Sequence, residues 1–210
     1  MHDELRLLAI AGPPLVPLDR IVDACLAAEE GGTTAVQLRV KEVPASVLLE
    51  TADLLRRRLS IPLWINDRAD VALAAGARGV HVGGEDITPD AVRAFAGSRL
   101  AIGVSVGDTA EAEAARATVV DYWSVGAVYA TSTKPDAGSP IGIGGFRRLA
   151  ALAPRGMPVI AIGGITEVRL PDVLGASAQG VAVSHAIFGS SNITTAARRL
   201  RGVIDEHRPE

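Results

Sequence analysis

A single (β/α)8 barrel is predicted by three observations: eight short apolar runs, eight intervening stretches of helical period, and their strict alternation along 210 residues. The runs are Leu5 to Ala11, Ala35 to Arg39, Leu63 to Asn66, Gly79 to Val82, Leu100 to Val104, Tyr122 to Val125, Val159 to Ile162 and Gly180 to Val183. Each is bounded by Gly, Pro, Asn, Asp or Ser, as a parallel strand buried on both faces should be. The helical stretches fall near 18–30, 45–59, 68–75, 89–96, 109–117, 145–152, 167–174 and 194–206. Cap signals open three of them: Thr88-Pro89-Asp90, Asp108-Thr109 and Thr166-Glu167. A doubly wound open sheet is the competing arrangement. Against it, Gly142-Ile143-Gly144-Gly145 follows a loop instead of a strand, which is the wrong context for a dinucleotide fingerprint. No composition shift or linker divides the chain, so one domain over 1–210 is expected. The long irregular stretch Gly126 to Gly144 is of the length that active-site lids have.

Composition narrows the function. Hydrophobic residues are 48% and charged residues 21%, so the chain can fill a core and has no disordered character. A net charge of −3 supplies no global positive field for nucleic acid or an anionic membrane. No run is long and apolar enough to span a bilayer, and no secretory leader is evident at the N-terminus. The single cysteine, Cys25, can form neither an internal disulfide nor a thiolate metal site. A cytoplasmic location is the expectation. Of the 21 basic residues only two are lysines, Lys41 and Lys134, which directs attention to where they fall.

In such a barrel, chemistry collects at the C-terminal ends of the strands. Gln37-Leu38-Arg39-Val40-Lys41 ends the second strand, and its alternation aims Gln37, Arg39 and Lys41 to one side. Asn66-Asp67 ends the third, His81 to Asp86 runs out of the fourth, and Ser105 follows the fifth. The loop after the sixth carries Thr131, Ser132, Thr133 and Lys134, the seventh ends in Gly163-Gly164, and the eighth in Val183-Ser184-His185. Simpler roles exist for each. Arg39 and Lys41 could form a solvated rim, Asp67 could cap a helix, Asp86 could begin one, and Ser105 or Ser184 could do the same. His81, within a strand, reads most simply as a hydrogen-bonded interior residue. As a set, however, two carboxylates facing several cations suit a Mg²⁺–diphosphate site built from Asp67, Asp86, Arg39, Lys41 and Lys134. The glycines and Ser184 after the last two strands suit a phosphomonoester. Obvious bases are scarce, and no nucleophile elbow, Walker loop or zinc-binding His pair occurs. Departure of diphosphate from a stabilised carbon fits that inventory better than proton abstraction does.

On these residues the chain resembles the thiamine phosphate synthase family over essentially its whole length. The matching segments, in order, are Gln37 to Lys41, Ile65-Asn66-Asp67-Arg68, Gly79 to Gly83 with Glu85-Asp86, Gly103-Val104-Ser105, Tyr122 to Gly126, Thr131 to Lys134, Ile162 to Ile165, and Gly180 to Ser184. The resemblance implies coupling of an aminopyrimidine methyl diphosphate to a thiazole ethyl phosphate by a dissociative route. It places Gln37, Leu38, Arg39, Val40, Lys41 and Asn66 on the pyrimidine diphosphate, with Ser105 and Lys134 supporting the diphosphate. It places Asp67 and Asp86 on Mg²⁺, and Thr131, Ser132, Thr133, Gly164, Val183 and Ser184 on the thiazole phosphate. Arg39, Lys41, Ser105 and Lys134 are the residues expected to assist catalysis. Small phosphorylated substrates are the expected partners, with a homodimer as the candidate assembly. The chain departs from the family pattern at Gly84, where Gln is usual, at Ala127, where Pro is frequent, and in lacking a Thr-Asp pair in the first strand. The related thiazole tautomerase branch is the alternative. That branch tends to lose the aspartates and to carry His two residues beyond the serine, where this chain has Gly107.

Overall fold

The computed structural model describes residues 1, 3–131, 133 and 138–207. Eight parallel strands close into a barrel in sequence order: β1 (Leu7–Ala11), β2 (Ala35–Leu38), β3 (Leu63–Asn66), β4 (Gly79–Val82), β5 (Ala101–Val106), β6 (Tyr122–Val125), β7 (Val159–Ile162) and β8 (Gly180–Val183). Strand β8 returns to β1 through Leu7↔Val181, Leu8↔Ala182 and Ala9↔Val183, which leaves no free edge. The helices are α1 (Ile21–Glu30), α2 (Ala45–Arg58), α3 (Ala69–Ala74), α4 (Pro89–Ala96), α5 (Thr109–Arg116), α6 (Gly142–Ala150), α7 (Leu170–Gly175), α8 (His185–Phe188) and α9 (Ile193–Glu206). Among the described residues, no helix is long and apolar enough to cross a membrane.

Alternation along the strands produces two cores. Leu7, Ala9, Val36, Leu38, Ile65, Val80 and Val181 face outward and join the helix layer. Leu8, Ile10, Ala35, Trp64, Ala101, Tyr122, Ile160 and Ala182 fill the barrel. The interior plug is a match of aromatic to glycine. Trp64 and Tyr122 meet edge to face with centroids 5.0 Å apart. Gly79 makes room for Trp64, since a Cβ there would lie 2.5 Å from its ring; one at Gly103 would lie 2.1 Å from the ring of Tyr122. Gly103→Ala should therefore destabilise the barrel by roughly 1–3 kcal/mol, the range for overpacking. Its three nearest atoms would all belong to Tyr122. Most of the loss should vanish in a Tyr122→Ala background, as denaturant melts of the double-mutant cycle would show; an unchanged loss would mean that the clash lies elsewhere.

Two of the cap signals hold as side-chain caps. Thr88 accepts from the N–H of Ala91 at 3.3 Å, and Asp108 from that of Glu111 at 2.8 Å. At the third, the carbonyl of Thr166 receives the N–H groups of Arg169 and Leu170, and α7 starts at Leu170 instead of residue 167. Helix α6 begins at Gly142, inside the stretch read as loop. Helix α8 is a further single turn that the sequence reading does not separate from the strand end.

Candidate active site

The strand ends open into a cavity of about 630 Å³, a size suited to small-molecule substrates. Its wall includes Gln37, Arg39, Lys41, Asn66, Asp67, Asp86, Ser105, Thr131, Thr133, Gly164, Val183 and Ser184, so the expected residues converge on one mouth. Ser132 and Lys134 lie outside the described residues. Leu38 and Val40 are corrected on their side chains. Both are buried in the core between barrel and helices and are absent from the wall, because alternation turns them away from Gln37, Arg39 and Lys41. Only their backbones could serve a ligand there.

The β2 end is held by backbone. The Arg39 N–H donates to the Ala11 carbonyl at 2.8 Å. A Cβ at Gly12 would sit 1.9 Å from the Arg39 carbonyl oxygen, so the β1 turn has space for glycine alone.

Asp67 is not a helix cap. The residue before α3 is Arg68, which makes no side-chain cap bond. Asp67 itself adopts a left-handed φ of 63°, held by its N–H donating to the His81 carbonyl at 2.8 Å. Its Oδ2 lies 3.7 Å from Lys41 Nζ. Asp86 does not begin α4 either: Thr88 is the cap, and Asp86 Oδ2 accepts from the Gly83 N–H at 2.7 Å. The two carboxyls interact. Burial first, then the Asp86 hydrogen bond and charge, push the Asp67 carboxyl up to about 6, against the pull of Lys41 and Arg39. A carboxyl that binds its proton more tightly when folded contributes stability below its ordinary value of 3.8, and that contribution is lost as pH rises to about 6. The stability of the natural chain relative to Asp67→Asn should therefore decline across that interval. Urea melts at several pH values would check this, and a flat difference would refute it.

A deeper layer lies below these charges. The hydroxyl of Tyr122 is 2.8 Å from His81 Nδ1, and His81 Nε2 is 3.0 Å from Ser105 Oγ. The Gln37 amide nitrogen and the Ser124 hydroxyl are buried without hydrogen-bond partners among the described residues, next to the cavity. The sequence reading treats His81 as interior and does not select Ser124 or Glu111. The inward parity of Ser124 with Tyr122 on one strand is the signal that would have found it. Glu111 also reaches the wall, where it accepts from the N–H of Gly107.

On the opposite rim, Gly163 and Gly164 have φ of 98° and 61°, and a Cβ on Gly164 would lie 2.4 Å from the Ala130 carbonyl oxygen. That turn is clamped by Arg169, which donates to the Gly164 carbonyl at 2.8 Å and lies over the Tyr129 ring. The peptide before Ala127 is cis. At Gly84 a Cβ would meet only Glu111 Oε1, at 3.6 Å, an ordinary contact. Gly84→Gln, which installs the usual family residue, should leave the melting temperature unchanged within about 2 °C, as surface changes of under 0.5 kcal/mol do. A larger drop in a thermal melt would show hidden crowding.

Barrel and mouth together define an α/β-barrel protein with an acid–base-paired polar site at the C-terminal ends of its strands. The family model described as thiamine monophosphate synthase matches residues 7–187, and the chain belongs to that family. It is 42% identical over 181 residues to the thiamine-phosphate synthase of Moorella thermoacetica, covering 85% of each chain. To that of Agrobacterium fabrum it is 39% identical over 208 residues, covering 96% of this chain and 94% of the relative. A solved structure, thiamine phosphate pyrophosphorylase from Pyrococcus furiosus, superposes with a TM-score of 0.90 at 33% identity over 99% of both chains. A 3-hexulose-6-phosphate synthase, 19% identical with a TM-score of 0.71 over 94% of this chain and 99% of its own, shares the fold alone. The tautomerase alternative finds no support in these relatives.

Proposed function

We propose that this chain joins an aminopyrimidine methyl diphosphate to a thiazole ethyl phosphate, giving thiamine phosphate and diphosphate. The bond between the methylene carbon and the diphosphate oxygen breaks, and a bond from the thiazole nitrogen to that carbon forms. No proton has to be moved in either event, which matches a mouth built from charges and hydrogen-bond donors. The observation that carries the reading is the pairing of Asp67 with Asp86 beside Lys41, in one cavity with Arg39 and Ser105.

Two adjacent, half-desolvated carboxylates fit a hard dication. Among the described residues no third acidic, His or Cys ligand joins them, which suits Mg²⁺, an ion that keeps sites for water and phosphate oxygens. Asp67 and Asp86 would hold Mg²⁺, whose charge would help neutralise that gathering on the departing diphosphate. Arg39 and Lys41 bind the remaining charge, Arg39 with its planar fork. The Gln37 amide, already buried without a partner, offers a donor to a ring nitrogen of the pyrimidine, with Asn66 beside it. Thr131, Thr133, Gly164, Val183 and Ser184 hold the thiazole phosphate across the mouth. Ser132 is assigned to the thiazole phosphate by the resemblance alone, and Lys134 to the diphosphate by its charge and by the resemblance.

Incubation with both substrates tests this. Thiamine phosphate and diphosphate should appear in equal amounts with Mg²⁺ and stop when it is chelated. Isomerisation of the thiazole compound without coupling would overturn the reading. Mg²⁺ affinity, measured by titration calorimetry, should rise as pH climbs through about 6, because the Asp67 proton competes with the cation.

A further inference from the structure

The geometry points to Tyr122 and His81 as positioning residues that turn Ser105 into an obligate hydrogen-bond donor toward the diphosphate. The inference rests on the reading that a diphosphate occupies this mouth. His81, Gly103 and Tyr122 lie in register on β4, β5 and β6, and Ser105 follows two residues beyond Gly103 on the same face. Because Gly103 has no side chain, the Tyr122 ring leans across β5. A Cβ there would sit 2.7 Å from the phenol oxygen. The phenol thereby reaches His81 Nδ1 at 2.8 Å, and the far nitrogen of that ring reaches Ser105 Oγ at 3.0 Å.

The direction of this chain follows from its closed end. Tyr122 is fully buried, and burial drives its hydroxyl pKa upward, so it stays a neutral phenol with one proton to place. Its hydrogen-bond partner among the described residues is His81. If Nδ1 carried a proton, the phenol hydrogen would be left buried without an acceptor, at the full desolvation penalty. Nδ1 is therefore the acceptor. In a neutral imidazole Nε2 then bears the hydrogen and donates it to Ser105 Oγ. With a lone pair occupied from below, the Ser105 hydrogen is directed up into the cavity. Phosphate oxygens only accept, so a hydroxyl fixed in this sense suits them, whereas the reversed tautomer would present an acceptor to an acceptor. Tyr122 has no exposed surface, and its hydroxyl acts through His81.

The test combines a spectroscopic and a kinetic reading of the full chain. In ¹⁵N-histidine spectra without substrate, His81 should show a bare Nδ1 and a protonated Nε2, whether or not any variant folds or turns over. In Tyr122→Phe, which keeps the ring against Trp64, the Nδ1 resonance should move and the two tautomers should mix. Its kcat should fall about 10-fold with KM for the thiazole phosphate unchanged, less than the 10²–10³ of deleting a donor outright. In a Ser105→Ala background the same substitution should change kcat no further. A protonated Nδ1 in the natural chain, an imidazolium at neutral pH, or additive losses would overturn the inference. Correct ¹⁵N signals in a chain that forms no thiamine phosphate would overturn the diphosphate reading, and with it the role of Ser105, while leaving the tautomer established.

Discussion

Asp67→Asn is expected to lower the rate of thiamine phosphate formation by about 10²–10³-fold, the loss typical of removing one charge-stabilising group from a transition state. It should also abolish saturation by Mg²⁺ in the accessible range. The substitution is nearly isosteric, so the left-handed turn at 67 and its N–H bond to the His81 carbonyl survive. What disappears is the charge facing Lys41 at 3.7 Å and the second arm of the carboxylate pair. Stability should move the other way. Above pH 6 the natural chain holds an ionised Asp67 in a half-buried place beside Asp86, and the neutral amide relieves that repulsion. A melting temperature that holds or rises while turnover collapses is the signature of a residue kept for chemistry. A residue kept for folding would lose both together. Asp86→Asn should resemble it in rate, since its side-chain oxygen can still accept from the Gly83 N–H. Full activity after both aspartates are neutralised would remove the metal assignment.

The strands were legible because their signal is local and redundant. Six of the eight ranges agree to within one residue at each end, and the period of two also sorted Gln37, Arg39 and Lys41 from Leu38 and Val40 by parity. By the same parity the Leu38 and Val40 side chains belong to the core, which leaves only their backbones for a ligand. Helix α6 starts three residues early relative to the sequence reading. Three glycines at 142, 144 and 145 depress helix propensity there, but packing of Phe146 and Leu149 into the core overrides it. Helix α8 spans four residues, too few to show a period. Asp67 and Asp86 could be located but not oriented. Whether an aspartate after a strand caps a helix depends on the next two φ angles, and those are set by the β3 and β4 turns instead of by its neighbours in sequence. The Tyr122–His81–Ser105 chain was the least legible part. Its members stand on three strands, and the residue that permits their contact is Gly103, whose contribution is an empty space.

Trp64→Ala should cost about 3–5 kcal/mol, a large share of the roughly 5–15 kcal/mol that separates a folded domain from its unfolded chain. Trp64 is fully buried at the centre of the barrel, with Gly79 yielding its side-chain volume to the ring and Tyr122 against its edge. Its indole N–H has no partner among the described residues, so truncation orphans no polar group there and the loss comes from lost contacts and the cavity left behind. The site is closed on itself by eight strands, which limits how far the walls can collapse to fill it. At roughly 2–4 °C per kcal/mol for a chain of this size, the melting temperature should fall by about 6–20 °C. Refilling through Gly79→Ala should not rescue it. The added Cβ would still lie 2.3 Å from the Ala101 carbonyl oxygen, a backbone atom that cannot turn aside. The functional consequence follows the packing: with its edge support gone, the Tyr122 ring can tilt, and the His81 tautomer should lose definition before the barrel melts. Thermal melts and ¹⁵N-histidine spectra on the same sample would separate the two effects. A melting point within 2 °C of the natural chain would mean that the barrel interior is held by something other than its aromatic plug.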